Sequence, residues 1–205
     1  HQLGAVWRVL QEGEGIIAHG DGYGKTFTGI MSAVELKRLG IARKPMIVVD
    51  NATIKQFAES FRVAYPAANI LVTTEETFAT NKRQRLLASI ATGDWDCVIL
   101  AQSQFDLIQS SPKAVAEYMQ DQLDELEMAE LWAKKNGDRI SQRNSARAKM
   151  KLQTKLKGVQ ERVADRQDAT IYFDELGIDF LLVDECHKYK KAPFVTKMER
   201  VKGLD

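Results

Sequence analysis

Gly22-Tyr23-Gly24-Lys25-Thr26 decides how this chain reads, because an apolar run precedes it and a helical pattern follows it. Ile16-Ile17-Ala18 predicts a buried strand. Phe27, Ile30, Met31, Val34 and Leu39 recur at helical spacing and predict a helix that Gly40 ends at its C′ position. Glycines between a strand and a helix let backbone N–H groups curl around phosphate oxygens. The start of the helix adds unpaired donors and the positive end of its dipole. Gly22, Tyr23 and Gly24 would form that cradle, Lys25 would supply a cation for the outer phosphates, and the Thr26 hydroxyl suits Mg²⁺. His19 stands where the full G-x-x-x-x-G-K-[ST] pattern has its first glycine. The match is therefore partial and calls for a second signal.

That signal is Leu181-Leu182-Val183-Asp184-Glu185-Cys186-His187, a predicted buried strand with two carboxylates at its carboxyl end. In an open α/β sheet this is the edge where ligands bind. Triphosphate hydrolysis needs two different acids, one to hold Mg²⁺ and one to orient and deprotonate water. Asp184 takes the first role and Glu185 the second. His187 is too far along to reach phosphate easily and links the nucleotide site to something else. The competing reading is a charged strand end at the surface, which is common. Pairing with Gly-Lys-Thr upstream weighs against it.

Length and composition agree with an ordinary globular domain. The 205 residues suffice for one sizeable core with an appendage, and 44% are hydrophobic. A net charge of +1 offers no global argument for nucleic acid, so any basic surface must be local. Two cysteines, Cys97 and Cys186, do not make a disulfide scaffold. No apolar run approaches the roughly 20 residues of a membrane span. The chain begins at His1 without Met, which reads as a segment of something longer.

Strands and helices alternate along the first half. Pro45–Val49, 69–73 and 97–100 predict strands; 54–63, 82–90 and 104–108 predict helices. Asn51 or Thr53 can cap the first of these helices, and Pro66 closes it. Such alternation implies a parallel sheet with right-handed crossovers, continued by the Asp184 strand.

The stretch 112–169 has a different composition. Met119, Leu123, Leu126 and Ala133 mark one helical stripe, and Leu152, Leu156, Val159 and Val163 another, with Asn136-Gly137 as the turn between them. This predicts an antiparallel, coiled-coil-like helical hairpin inserted into the sheet domain, dividing the chain into 1–111, 112–169 and 170–205. Its first arm carries Glu117, Asp121, Asp124, Glu125, Glu127 and Glu130. The second carries Arg143, Arg147, Lys151 and Lys155 among many basic residues. Opposite charge on the two arms can fix their pairing in a solvated stalk. The basic excess can also follow a nucleic-acid backbone. Both readings stand.

Together these residues resemble a known family. Gly22-Tyr23-Gly24-Lys25-Thr26 followed by Asp184-Glu185-Cys186-His187 resembles motifs I and II of superfamily 2 helicases and translocases, in the Swi2/Snf2-like branch. His1-Gln2 resembles the upstream glutamine motif, which implies adenine recognition by Gln2. Val48-Val49-Asp50-Asn51 resembles motif Ia, and Asp94–Ile99 with Ser103 and Phe105 the next strand and its nucleic-acid-facing loop. More narrowly, the chain is similar to the helicase part of phage- or plasmid-borne proteins fused to an adenine-N6 DNA methylase.

The resemblance implies an α/β, RecA-like P-loop lobe with a mostly parallel sheet flanked by helices. It implies ATP and Mg²⁺ as cofactors, Asn51 and Ser103 facing duplex DNA, and a bacterial cytoplasm or a phage- or plasmid-encoded origin. It also implies a second RecA-like lobe, which would supply an arginine finger, and a fused or associated methylase. Departures are Cys186 where alanine is usual, Asp50 where proline is frequent, and Asp21 and Gly20 within the phosphate loop. The expected function is the first, ATP-binding lobe of an ATP-dependent DNA helicase or translocase, with this chain alone nearly inactive. The alternative is a catalytically degenerate lobe that serves as a DNA- or protein-interaction module.

Overall fold

A computed structural model describes residues 1–20, 22–137, 139–164 and 171–189, apart from the side chains of residues 139, 140, 142, 162–164 and 188. It divides into two compact units: residues 1–109 with 170–186, and the unit that carries the two long helices.

The first unit is built on a four-stranded sheet of order β2-β3-β1-β4, with β1 Pro45–Val49, β2 Ile70–Val72, β3 Cys97–Ala101 and β4 Phe180–Val183. Every pairing is parallel. Helices α1 Gln2–Glu12, α2 Lys25–Arg38, α3 Ile54–Ala64, α4 Thr80–Thr92 and the short α5 Gln102–Phe105 complete this unit. β1 and β3 are buried along their whole length, as a parallel sheet covered on both faces requires. Alternation sorts their side chains. Met46, Val48, Val98 and Leu100 join one cluster with Leu87 and Ile90 of α4. Ile47, Val49, Cys97 and Ile99 join the other with Ile30 and Ala33 of α2 and Phe57 and Phe61 of α3. Full burial of one such large side chain contributes about 1.5–3 kcal/mol. This α/β lobe, with its all-parallel sheet between helical layers, is the expected fold class and is consistent with a RecA-like lobe.

Polar anchors close the sheet's amino-terminal edge. Asp179 accepts from the backbone N–H groups of Arg43 and Lys44, and Lys44 Nζ donates to the carbonyls of Ile90, Ala91 and Leu176. The last turn of α4 thereby gains a cation where its carbonyls lack helical partners.

Two expectations need correction. Ile16–Ala18 is irregular backbone, and Ile16 is 81% exposed. Gly13 and Gly15 turn the chain at φ +72° and +151° just before it, and apolar character alone supplies no strand to pair with. The sheet therefore ends at β4 among the described residues. The short helix expected at 104–108 lies at Gln102–Phe105 instead, because it starts directly at the end of β3.

The second unit carries α6 Pro112–Lys135 and α7 Arg139–Ala164, which pack along one another. Ser111 caps α6 by accepting from Ala114 N–H, and Pro112 occupies the first turn, where its missing N–H costs nothing. The turn uses Gly137 at φ +70°. Leu123 and Ala133 on α6, and Ser145 and Leu156 on α7, are buried. An ion pair of 2.6 Å joins Lys149 of α7 to Glu127 of α6.

Candidate functional site

Parallel register brings the site together. Val49 lies beside Ala101, and Val48 beside Val183. Two residues beyond the first of these pairs, Asn51 stands opposite Ser103. Their side chains meet: Asn51 Nδ2 donates to Ser103 Oγ at 2.8 Å, and Ser103 N–H donates to Asn51 Oδ1 at 3.2 Å. At the same edge the Asp184 N–H continues the ladder by donating to Val48 O at 2.8 Å.

The glycine-loop residues 22–26 stand at the start of α2. Gly22 and Gly24 have φ of +78° and +75°, a conformation that glycine adopts without penalty. Gly24 is the N-cap, and both the N–H and the hydroxyl of Thr28 donate to its carbonyl. Lys25 and Thr26 are the first two residues of this 14-residue helix. Lys25 Nζ is 3.6 Å from Glu185 Oε1. The two sequence signals, 160 residues apart, therefore converge on one place.

The amino-terminal helix packs beside the same loop. Gln2 Nε2 lies 3.5 Å from Gly24 O, and a Cβ added at Gly24 would collide with that amide. His1 Nε2 donates to Tyr23 O at 3.1 Å, and its ring makes edge contacts with Tyr23 and His19. Tyr23 is exposed, whereas Nδ1 of His19 is buried without a hydrogen-bond partner among the described residues.

Burial raises the Asp184 carboxyl above its ordinary value, and the neighbouring Glu185 charge adds to this; the Glu185 N–H and Lys25 pull in the other direction. Such a carboxylate is partly desolvated and gains most from a cation beside it. Glu185 is the one non-glycine residue among those described with positive φ, at +53°. Holding a residue there costs on the order of 1–3 kcal/mol and persists only where its surroundings over-determine it. Glu185 N–H donates to Asp184 Oδ1 at 3.1 Å, and Gln102 Nε2 donates to Asp184 O at 2.8 Å. Gln102 is 3% exposed. Sequence reading singled out its neighbour Ser103 and missed it. Its place at the carboxyl end of a buried strand was the available signal.

Other expected site residues belong to the second unit or fall outside the described residues. His187 is exposed in the 3₁₀ turn Cys186–Tyr189, which straddles the boundary between the units. Arg143, Arg147, Lys151 and Lys155 are exposed on α7 in the second unit, four residues apart along the helix. Asp21 and residues 165–170 and 190–205 lie outside the described residues.

The fold and the convergence of a glycine-flanked helix start on an Asp-Glu strand end define an α/β lobe with a compact polar site at the carboxyl edge of its sheet. A protein-family model described as a probable helicase domain matches residues 7–205, and the chain belongs to that family. No curated protein matches the chain.

Proposed function

We propose that this chain is the ATP-binding first lobe of an ATP-dependent DNA helicase or translocase of the Snf2-like branch. Membership of the helicase family supports a helicase-type function at the coarse level. The observation that carries the finer reading is the approach of Lys25 to Glu185, which joins the start of α2 to the end of β4. In this reading Lys25 binds the outer phosphates of ATP and Gln2 the adenine. Thr26 and Asp184 hold Mg²⁺, and Glu185 activates water. The donor set suits these groups: a helix start and a cation for phosphate, and a desolvated carboxylate for the metal.

Asn51 and Ser103, paired on the same edge, face DNA, and His187 couples that surface to the nucleotide. The α6–α7 pair is an autonomous insertion whose basic row, Arg143, Arg147, Lys151 and Lys155, contributes to a duplex track. A second RecA-like lobe completes the nucleotide cleft, and a DNA methylase is a fused or associated partner. The protein works in the cytoplasm of a bacterial host. Titration of the chain with a non-hydrolysable ATP analogue, with and without Mg²⁺, tests the nucleotide assignment. Mg²⁺-dependent binding is expected, and no binding at millimolar analogue overturns it.

A further inference from the structure

Two hydrogen-bonded pairs meet in the dipeptide Gln102-Ser103. Gln102 Nε2 holds the carbonyl of Asp184 at 2.8 Å. Ser103 exchanges two hydrogen bonds with Asn51. Both residues lie on α5, which begins directly at the end of β3. A helix of four residues has little freedom to absorb a shift at one position without moving the next. The peptide unit between Asp184 and Glu185 is gripped at both ends, its carbonyl by Gln102 and its N–H by Asp184 Oδ1. The left-handed Glu185 follows directly, so the plane of this peptide sets where its carboxylate points. That carboxylate lies against Lys25.

We infer that Gln102 is a positioning residue that couples the Asn51–Ser103 pair to the Asp184-Glu185 peptide, so that a ligand on the Asn51–Ser103 surface re-aims Glu185. The inference rests on the reading of that surface as DNA-facing and of Glu185 as the group that activates water. Movement of Asn51 or Ser103 is passed through one backbone step to Gln102 and by its amide N–H to the Asp184 carbonyl. Release or tightening of that bond rotates the peptide and shifts Glu185 relative to Lys25. Coupling runs both ways: an ATP analogue must change affinity for DNA by the same factor as DNA changes affinity for the analogue.

The test measures duplex DNA affinity of the chain by fluorescence anisotropy, with and without a Mg²⁺–ATP analogue, and analogue affinity alone by calorimetry. Wild type is expected to show a change in DNA affinity of at least about fivefold on adding the analogue, within the usual range of such couplings. Gln102→Met keeps the volume and removes the donor; it should reduce the factor below about twofold while leaving each single affinity unchanged. Gln102→His places a ring N–H at the same reach and should restore the factor, which a merely structural role for the side chain would not do. Full coupling in Gln102→Met overturns the inference. So does wild type that binds both ligands with no coupling. Wild type that binds neither ligand overturns the functional reading itself and this inference with it. Equal thermal midpoints for the three proteins identify lost coupling as a local effect, and a collapsed midpoint in both variants assigns Gln102 to the core and overturns the inference.

Discussion

Lys25 Nζ and Glu185 Oε1 lie 3.6 Å apart, so the cation at the start of α2 and the carboxylate just past the end of β4 offset each other at the sheet edge. Both side chains are about one-third to two-fifths exposed, at 32% and 43%, so the pair itself adds little to stability. Its consequence is for ligands.

Lys25→Ala should weaken binding of the Mg²⁺–ATP analogue by roughly 1.5–3 kcal/mol, the worth of a charge-assisted phosphate contact. Isothermal calorimetry checks this. Equal affinity in wild type and variant would remove the phosphate assignment.

Glu185→Gln keeps the side chain's shape and lifts its charge from Lys25. Analogue binding should be as tight as wild type or tighter, and hydrolysis should vanish in any preparation that hydrolyses ATP. The chain of 205 residues tested alone should turn ATP over barely above background. An arginine finger is worth on the order of 10³–10⁵ in rate, and the family resemblance assigns it to a second lobe. Phosphate release measured with and without duplex DNA decides this, and robust DNA-stimulated turnover by the chain alone would contradict it.

Replacing 112–169 by a short Gly/Ser linker should leave the sheet lobe folded with nearly unchanged stability, since loop closure depends weakly on length. Far-ultraviolet dichroism and thermal melting follow the lobe. If Arg143, Arg147, Lys151 and Lys155 track duplex DNA, the deletion also flattens the salt dependence of DNA affinity. An unchanged slope would leave the pair as a stalk alone.

Lys37 sets a pH dependence of stability. Its Nζ lies 2.9 Å from Asp94 and 3.1 Å from Asp96. Burial opposes the Lys37 charge, but hydrogen bonds to both aspartates outweigh it and raise its pKa. The hydrogen bond from Lys37 lowers that of Asp94. A lowered carboxylate stabilises above its unfolded value, about 3.8, and loses this as pH falls through the folded value. A raised lysine stabilises below its unfolded value, about 10.5, and loses this as pH rises through the folded one. Lys37→Met should therefore be less stable than wild type at neutral pH. The gap should close below the Asp94 titration and narrow in strong alkali. Urea melts across pH check it, and a gap independent of pH would assign the effect to packing.

Much of the lobe was legible in the chain itself, because its signals are local. Pro45–Val49 and Cys97–Ala101 are short apolar runs between turn residues, which is how strands buried on both faces read. Gly40 at φ +71° and Gly93 end the helices they were expected to end. Lys25, Asp184 and Glu185 were named from residue type and from their place at element ends. Ile16–Ala18 misled because apolar character does not supply a ladder partner. What sequence alone determined was most of the strands and helices and the residue types at their ends. Only the tertiary structure decided that Lys25 meets Glu185, that Asn51 pairs with Ser103, and that Gln102 holds Asp184. Those contacts join residues 52 to 160 positions apart, and they depend on strand order and register, which no local pattern encodes.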